Sequence, residues 1–133
     1  MADLTITEAN IVWVSGPKNT RNAAEAVTAG DWLYAASTTT VGVATNADAA
    51  KDTVIGIALN AAGTGQPVTY AENTAVVGFG AILAVAVWYV LSAAGATSAV
   101  ADQTSADYVS GVGYGLTTSN MQLVITNTGL QQA

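Results

Sequence analysis

The sequence contains no cysteine and no histidine, and only three of its 133 residues are basic. Without cysteine the chain can form neither a disulfide bond nor a thiolate metal site. Without histidine it cannot build the Ser-His-Asp or Cys-His arrangement that activates a nucleophile. A zinc site would have to use carboxylates alone, which zinc rarely does. These absences exclude the common nucleophilic and zinc-dependent active sites.

The few charged residues are mostly acidic. The net charge is -6, the sequence pI is about 4.1, and the basic residues are Lys18, Arg21 and Lys51. Nucleic-acid binding requires a stripe of basic side chains that neutralises phosphates, and three cations cannot supply one. We therefore expect no direct contact with nucleic acid.

Charged residues of either sign make up only 9% of the chain, whereas hydrophobic residues make up 51%. The hydrophobic content is sufficient for a folded core within one domain. The low charge has two explanations. Either partner subunits cover much of the surface, or Thr, Ser, Asn and Gln keep an exposed surface soluble. Low charge and abundant small residues predict self-association, most simply as a homotrimer.

No hydrophobic run in the sequence indicates a membrane segment. The longest apolar stretch, residues 76–91, is broken by Gly78 and Gly80 and is shorter than the ~20 residues of a membrane helix. Its Val, Trp and Tyr residues favour strands instead. The first residues lack the basic region and apolar stretch of a secretory signal, so no export signal is expected.

Short β-prone runs between turn residues predict an all-β fold. Thirteen glycines punctuate the chain, and β-branched residues fill the intervals between them. This spacing is typical of a β-sandwich or a β-barrel. The predicted strands are residues 10–14, 32–35, 41–44, 54–59, 67–71, 75–77, 81–85, 87–91, 108–114 and 121–126.

The beginning of the chain differs from the rest. Residues 1–26 hold two of the three cations, few glycines and one short β-prone run. Gly16 and Pro17 interrupt any regular element there, because proline fixes its own φ and disfavours helix in the residue before it. We predict an extended N-terminal arm over residues 1–26 and a single β-rich body over residues 27–133. The sequence of residues 46–51 predicts one helical turn there.

Acidic residues are the remaining candidates for chemistry. Asp102 and Asp107 are five positions apart, and two carboxylates at a suitable separation can cleave a glycoside. Both lie in a turn-like stretch, where acids commonly cap turns and face water, and we favour that interpretation. Asp48 and Asp52 have oxygen ligands of the kind calcium prefers, but no loop of alternating oxygen donors surrounds them. We therefore expect solvated charges, no catalytic activity, no metal and no cofactor.

Glycines alternate with apolar residues at 78–80 and 111–115. A dinucleotide-binding motif requires a strand before its glycines and a helix after them, and no helix is predicted at either place. Glycines inside strands indicate bulges, bends or the close approach of another backbone.

The aromatic residues leave two interpretations open. Trp32, Tyr34, Trp88 and Tyr89 lie in strand patterns, where aromatic residues more often belong to the core than to a ligand platform. If Trp32 and Tyr34 were exposed, the chain could instead be a glycan-binding or cell-surface-binding module. Trp13 differs because it lies in the predicted arm, and tryptophan is enriched at binding hot spots.

The order of several segments resembles that of a known family. The ordered set is similar to the small β-rich decoration, or cement, proteins on the heads of tailed bacteriophages, and it covers roughly residues 27–126. The segments are AGDWLY at 29–34, VIGIAL at 54–59, GQPVTY at 65–70, VWYVLSA at 87–93, SADYV at 105–109 and VGYG at 112–115.

The resemblance implies a compact β-barrel or β-tulip-like body, often trimeric, on the outer surface of a capsid. It also implies that the major capsid protein is the partner and that no residue is catalytic. A protein of this kind would bridge neighbouring capsomers and stabilise the mature head. It would be made in the host cytoplasm and assembled there.

The predicted arm is the candidate capsid-binding segment. Its β-prone residues 5–14 could add as a strand to an exposed sheet edge of a capsid subunit. Ile11 and Trp13 would then share one face, because side chains alternate along a strand. We predict Trp13 as the anchor, with Lys18 and Arg21 reaching acidic groups of the capsid. Alternatively, residues 11–14 are the first strand of the body and Trp13 belongs to its core.

Overall fold

The computed structural model describes residues 3–48, 50–99 and 108–131. Within these ranges the protein is nearly all β-structure in one small domain, which confirms the predicted fold class. Two short 3-10 helices, Glu8–Asn10 and Ala93–Gly95, are present, and no helix of the described part is long and apolar enough to cross a membrane. The strands are β1 (Val12–Ser15), β2 (Lys18–Ala23), β3 (Trp32–Ala35), β4 (Thr40–Val43), β5 (Gly56–Ala58), β6 (Pro67–Ala71), β7 (Val76–Gly78), β8 (Trp88–Leu91), β9 (Thr97–Ala99), β10 (Tyr108–Gly115) and β11 (Asn120–Gln131).

These strands form two layers. One layer is a closed barrel with the order β2-β4-β3-β5-β6, as the barrel prediction requires. The other layer, called here the open sheet, has six strands in the order β1-β7-β11-β10-β8-β9. Its neighbouring strands are all antiparallel, whereas the barrel contains one parallel pair, β2 with β4. Because a closed barrel has no edge strand, the edge strands are β1 and β9 of the open sheet, and an isolated bridge from Asp3 to Ser98 covers part of the outer side of β9.

Alternation along the barrel strands divides their side chains between two cores. On β3, Leu33 points into the barrel while Trp32 points out toward the open sheet. On β5, Ala58 and Ile57 repeat this division. The interior of the barrel is filled by Ala23, Val27, Leu33, Val41, Ala58, Ala62, Val68 and Tyr70.

The second core lies between the barrel wall and the inner face of the open sheet. Trp32 and Ile57 of the barrel belong to the same buried cluster as Leu91 and Met121 of the sheet. The indole Nε1 of Trp32 donates a buried hydrogen bond of 2.6 Å to Oγ1 of Thr97 on β9. The bond satisfies two polar groups that would otherwise be buried unpaired, and it fixes the barrel against the sheet.

The N-terminal residues belong to the domain, which corrects the predicted extended arm. β1 pairs with β7 at one edge of the open sheet, and β2 pairs with both β4 and β6. Ahead of them, the amide of Leu4 donates to the carbonyl oxygen of Thr97 at 2.7 Å. The boundary predicted between residues 26 and 27 is therefore wrong, because β2 supplies one wall of the barrel.

Two local predictions are also wrong. Residues 81–85 are not a strand, and their contribution to the ladders is a single bridge between Val85 and Gly115. The described residues of 46–51 form turns, closed by the bond from the amide of Lys51 to the carbonyl oxygen of Asp48, instead of a helical turn.

Candidate functional site

The acidic residues considered for chemistry do not form a site in the described part of the chain. Asp102 and Asp107 lie outside the described residues. Asp48 is exposed, and its carboxylate accepts a 2.8 Å bond from the amide of Ala50, as in a capped turn. Asp52 is buried, which corrects the expectation that it faces water. Within residues 3–48, 50–99 and 108–131, no group of three or more His, Cys, Asp or Glu could hold a metal ion.

Of the residues predicted to bind a capsid, the structure brings Trp13 and Lys18 together. Trp13 is 39% exposed, and Nζ of Lys18 lies 4.1 Å from the centroid of its ring. The indole Nε1 also donates to the carbonyl oxygen of Gly16 at 3.1 Å, which holds the ring in place. Ile11 is buried in the core between the layers, so its predicted role in docking is wrong. Arg21 lies on the barrel, where its guanidinium donates to the carbonyl oxygen of Ser37 at 3.4 Å.

An exposed apolar ridge runs along the edge strand β1. We call it the β1 ridge, and it consists of Val12, Trp13 and Val14, of which Val12 is 57% exposed. β7 pairs with one side of β1, and no other strand of the described chain pairs with its second side. A free strand edge presents N–H and C=O groups to which another chain can add. The β1 ridge thus combines the backbone groups and the apolar side chains that strand addition uses.

The open sheet carries no charged side chain. None of its six strands contains Asp, Glu, Lys or Arg, whereas β2 of the barrel carries Lys18 and Arg21. On its outer face, Tyr114 pairs with Trp88 on one side and with Gln122 on the other. Because surface charge of one sign keeps monomers apart, an uncharged face of this size is a candidate contact surface.

A second group of exposed apolar side chains lies beside strands β8 and β10, toward the edge of the open sheet opposite β1. Val85, Trp88 and Leu116 are 60%, 49% and 43% exposed. The ring of Tyr114 contacts the indole of Trp88, with centroids 5.0 Å apart. We call these four residues the Trp88 patch. Together with the β1 ridge, the patch contains every large hydrophobic side chain that is exposed in the described ranges.

A strained residue holds the Trp88 patch in shape. Ala86 has φ of 64°, in the left-handed region that costs an L-residue roughly 1–2 kcal/mol. Its amide donates to the carbonyl oxygen of Gly115 at 2.8 Å, which fixes the turn between Val85 and β8. Backbone strain of this kind is concentrated at functional sites, so the turn supports a functional role for the patch.

An apolar cleft adjoins the patch. Its volume is about 260 Å³, and it is lined by Trp88, Tyr89, Val90, Val109, Gly111, Val124, Thr126 and Thr128. Small-molecule sites usually measure about 300–1,000 Å³ and contain several well-placed polar groups. Here the hydroxyl of Thr128 already donates to the carbonyl oxygen of Val109 at 2.7 Å. The cleft therefore suits an apolar side chain of a protein partner better than a sugar.

The aromatic residues considered for glycan binding are not both available. Trp32 is fully buried, which excludes it as a ligand platform, and Tyr34 is only half-buried. The exposed tryptophans are Trp13 and Trp88. Sequence reasoning placed Trp88 in the core, although alternation puts Trp88 and Tyr89 on opposite faces, so that one of them had to point outward.

A second cavity, of about 250 Å³, lies beside the N-terminal residues. Leu4, Ile6 and Glu8 line it from one side, and Thr28 and Asp31 from the other. The Asp31 carboxylate accepts hydrogen bonds from the amide and the hydroxyl of Thr28, at 3.0 and 3.1 Å. Burial raises the pKa of Asp31 above its ordinary value of 3.8; the Thr28 bonds oppose this shift, while the charges of Glu8 and Glu25 add to it.

The raised pKa of Asp31 predicts a pH-dependent stability. The folded protein binds this proton more tightly than the unfolded chain, so the contribution of Asp31 to stability falls as pH rises from 3.8 through the raised pKa. The unfolding temperature of Asp31→Asn, measured relative to that of wild type, should therefore increase as pH rises through this window. The reason is that asparagine still accepts the Thr28 bonds and carries no charge. Thermal unfolding of both proteins over the acid range measures the difference. A difference that is constant with pH, or that reverses, contradicts the assignment.

No protein-family model matches the sequence, and no curated protein matches it either.

Proposed function

We propose that this chain is a non-catalytic structural protein of a tailed-bacteriophage head, which binds the outer surface of the capsid and bridges neighbouring capsomers. The observation that carries the proposal is the uncharged open sheet, bordered by the apolar β1 ridge. Surfaces of this kind suit contact with other protein subunits. The resemblance to decoration proteins then names the partner, the major capsid protein, and the homotrimer as the assembled form.

The charge of the chain is compatible with this location. A net charge of -6 disfavours contact with packaged DNA, which a protein outside the shell does not meet. The proposal places the protein on the virion surface after synthesis in the host cytoplasm. It requires neither a cofactor nor a membrane.

The β1 ridge is the proposed capsid contact. An edge strand of the capsid subunit would pair with the free side of β1, so that main-chain hydrogen bonds supply affinity. Trp13 is the anchor, since Lys18 and Gly16 already hold its ring and little side-chain freedom is lost on binding. The ammonium of Lys18 beside the ring would face an acidic group at the rim of the contact. Ile11 and Arg21 have no part in this revised contact.

Stabilisation of the head follows from linkage. A ligand that binds the mature shell and not its disassembled subunits stabilises the shell by about 2.7 kcal/mol per site when its free concentration is about 100 times Kd. Many copies distributed over the lattice add their contributions. No chemical step is required, which agrees with the absence of histidine and cysteine.

Binding to purified expanded heads that lack this protein tests the proposal. We expect Trp13→Ala to weaken binding by about 2 kcal/mol or more, as at an interface hot spot, with little change in unfolding temperature. Val12→Glu should weaken binding similarly, because it places a charge on the ridge. Thr64→Glu is the matched control, since it adds the same charge to an exposed turn between β5 and β6. Cosedimentation with heads measures all four proteins.

Two results would contradict the proposal. One is a wild-type protein that does not bind heads, and the other is a ridge variant that binds as tightly as Thr64→Glu. If the wild-type protein binds a glycan array and not heads, the alternative class, a glycan-binding or cell-surface-binding module, is favoured. The exposed rings of Trp88 and Tyr114 would then be its platform.

A further inference from the structure

We propose that copies of this chain bind one another through the Trp88 patch. The apolar projection formed by Val85 and Leu116 of one copy enters the cleft beside Trp88 of the next copy. The inference rests on the proposed function only in taking the chain to be oligomeric.

Charge favours a second copy as the occupant. Each copy carries a net charge of -6, and contact through a surface without charged side chains keeps the like charges of two copies apart and so limits their repulsion. The strands that contribute to the patch and the cleft, β8, β10 and β11, contain no charged residue, and neither do residues 79–87 and 116–119, which carry the projection. A basic or an acidic partner would be recognised by opposite charges, which the described residues of this face do not offer.

Shape and polarity favour the same occupant. The Trp88 patch and the cleft beside it offer complementary shapes. Val85 of the patch is 60% exposed, and the adjoining cleft has a volume of about 260 Å³. Its lining is mainly apolar, so branched aliphatic side chains such as those of Val85 and Leu116 match it. The amide of Ala86 donates to the carbonyl oxygen of Gly115, which ties together the backbone that carries the two side chains of the projection. Less conformational entropy is therefore lost on association.

The proposed contact leaves the capsid-binding ridge free. β8 is four strands away from β1 in the open sheet, a separation of about 19 Å at the usual spacing of neighbouring strands. A projection-to-cleft contact joins two different surfaces, and such heterologous contacts close into rings when the rotation between copies permits. A ring of three copies would thus use every patch and present every β1 ridge to the capsid.

Sedimentation velocity and native mass spectrometry of the pure protein test the inference. We expect an oligomer at about 100 μM for wild type, and an increase in dissociation constant of about 30-fold or more for Val85→Glu and for Trp88→Ala. Both side chains are largely exposed, so circular dichroism should show folded variants. If Val85→Glu does not fold, Trp88→Ala decides the outcome.

Val12→Glu is the matched control. It introduces the same charge at a similarly exposed valine, which lies on the β1 ridge instead of in the loop before β8. We expect Val12→Glu to remain as oligomeric as wild type while losing head binding. A monomeric wild type, an oligomer that survives both patch substitutions, or dissociation of Val12→Glu to the same extent would overturn the inference. Failure of head binding alone would overturn the proposed function and leave this contact intact.

Discussion

Replacing Trp32 with alanine is expected to destabilise the protein by about 3–5 kcal/mol, the range found for large aromatic side chains removed from a core. The indole is fully buried between the barrel and the open sheet. Its loss would leave a cavity between the layers and the hydroxyl of Thr97 without its 2.6 Å partner. A domain of this size has roughly 5–15 kcal/mol of stability in total, so the variant should lose a large share of it and unfold at a clearly lower temperature than wild type.

Urea unfolding followed by circular dichroism measures this effect, because Trp32 itself contributes to fluorescence. Trp32→Phe retains an aromatic ring and loses the hydrogen bond. Thr97→Val keeps the shape of the threonine and leaves the indole N–H unpaired. Since replacing both partners by apolar groups removes the unpaired atoms, the double variant should be more stable than the sum of the single losses predicts. A loss below about 1 kcal/mol for Trp32→Ala would contradict the central place we give this residue in the interlayer core.

The barrel strands were predictable from sequence where β-prone residues lie between turn residues. Trp32–Ala35 and Pro67–Ala71 have the predicted bounds, because each combines β-prone residues with turn residues on both sides. In contrast, β2 reads KNTRNA, and only Ala23 of its residues is buried. Its position depends on pairing with β6 and β4, which are distant in sequence, so no local pattern indicates it. The wrong prediction of an N-terminal arm resulted from missing strand β2.

The opposite error arose from apolar residues that do not pair. Residues 81–85 are apolar enough to be interpreted as a strand, but Ala84 and Val85 are exposed and the segment forms a loop. Gly80, at φ of 72°, begins this loop in a conformation that other residues rarely adopt. Hydrophobicity alone therefore does not distinguish a buried strand from a loop that presents apolar side chains to solvent.

The candidate site was predictable only in part, because packing between distant strands decides which apolar side chains are exposed. Trp13 and Lys18 were identified because they lie outside the strongest core patterns, and the structure places them in contact. Trp88 was assigned to the core, since both faces of its strand are apolar and only the packing of the sheet on the barrel decides which face is covered. Whether any of these residues meets a capsid stays a prediction.

Gly111 and Gly113 within strand β10 should respond to substitution in opposite ways. Their alternation with apolar residues predicted bulges or close backbone approach, and the register of β10 shifts between Gly111 and Gly113 against both of its neighbours. A Cβ on Gly113 would overlap the carbonyl oxygen of Gln122, which is main chain and cannot rotate away. A Cβ on Gly111 would lie 3.7 Å from Cβ of Thr126, an ordinary contact.

Gly113→Ala and Gly111→Ala are therefore a matched pair with opposite expected outcomes. The first should cost about 3 kcal/mol or more, because β10 must separate from β11 to admit the methyl group. The second should be neutral or stabilise the strand by up to about 1 kcal/mol, since alanine loses less backbone entropy than glycine on folding. Urea unfolding of both variants decides between this account and one in which the glycines serve only chain flexibility. In that case the two substitutions would change stability alike. Because Gly111 also lines the cleft beside Trp88, a folded Gly111→Ala protein that dissociates more readily than wild type would connect the bulge directly to the contact between copies.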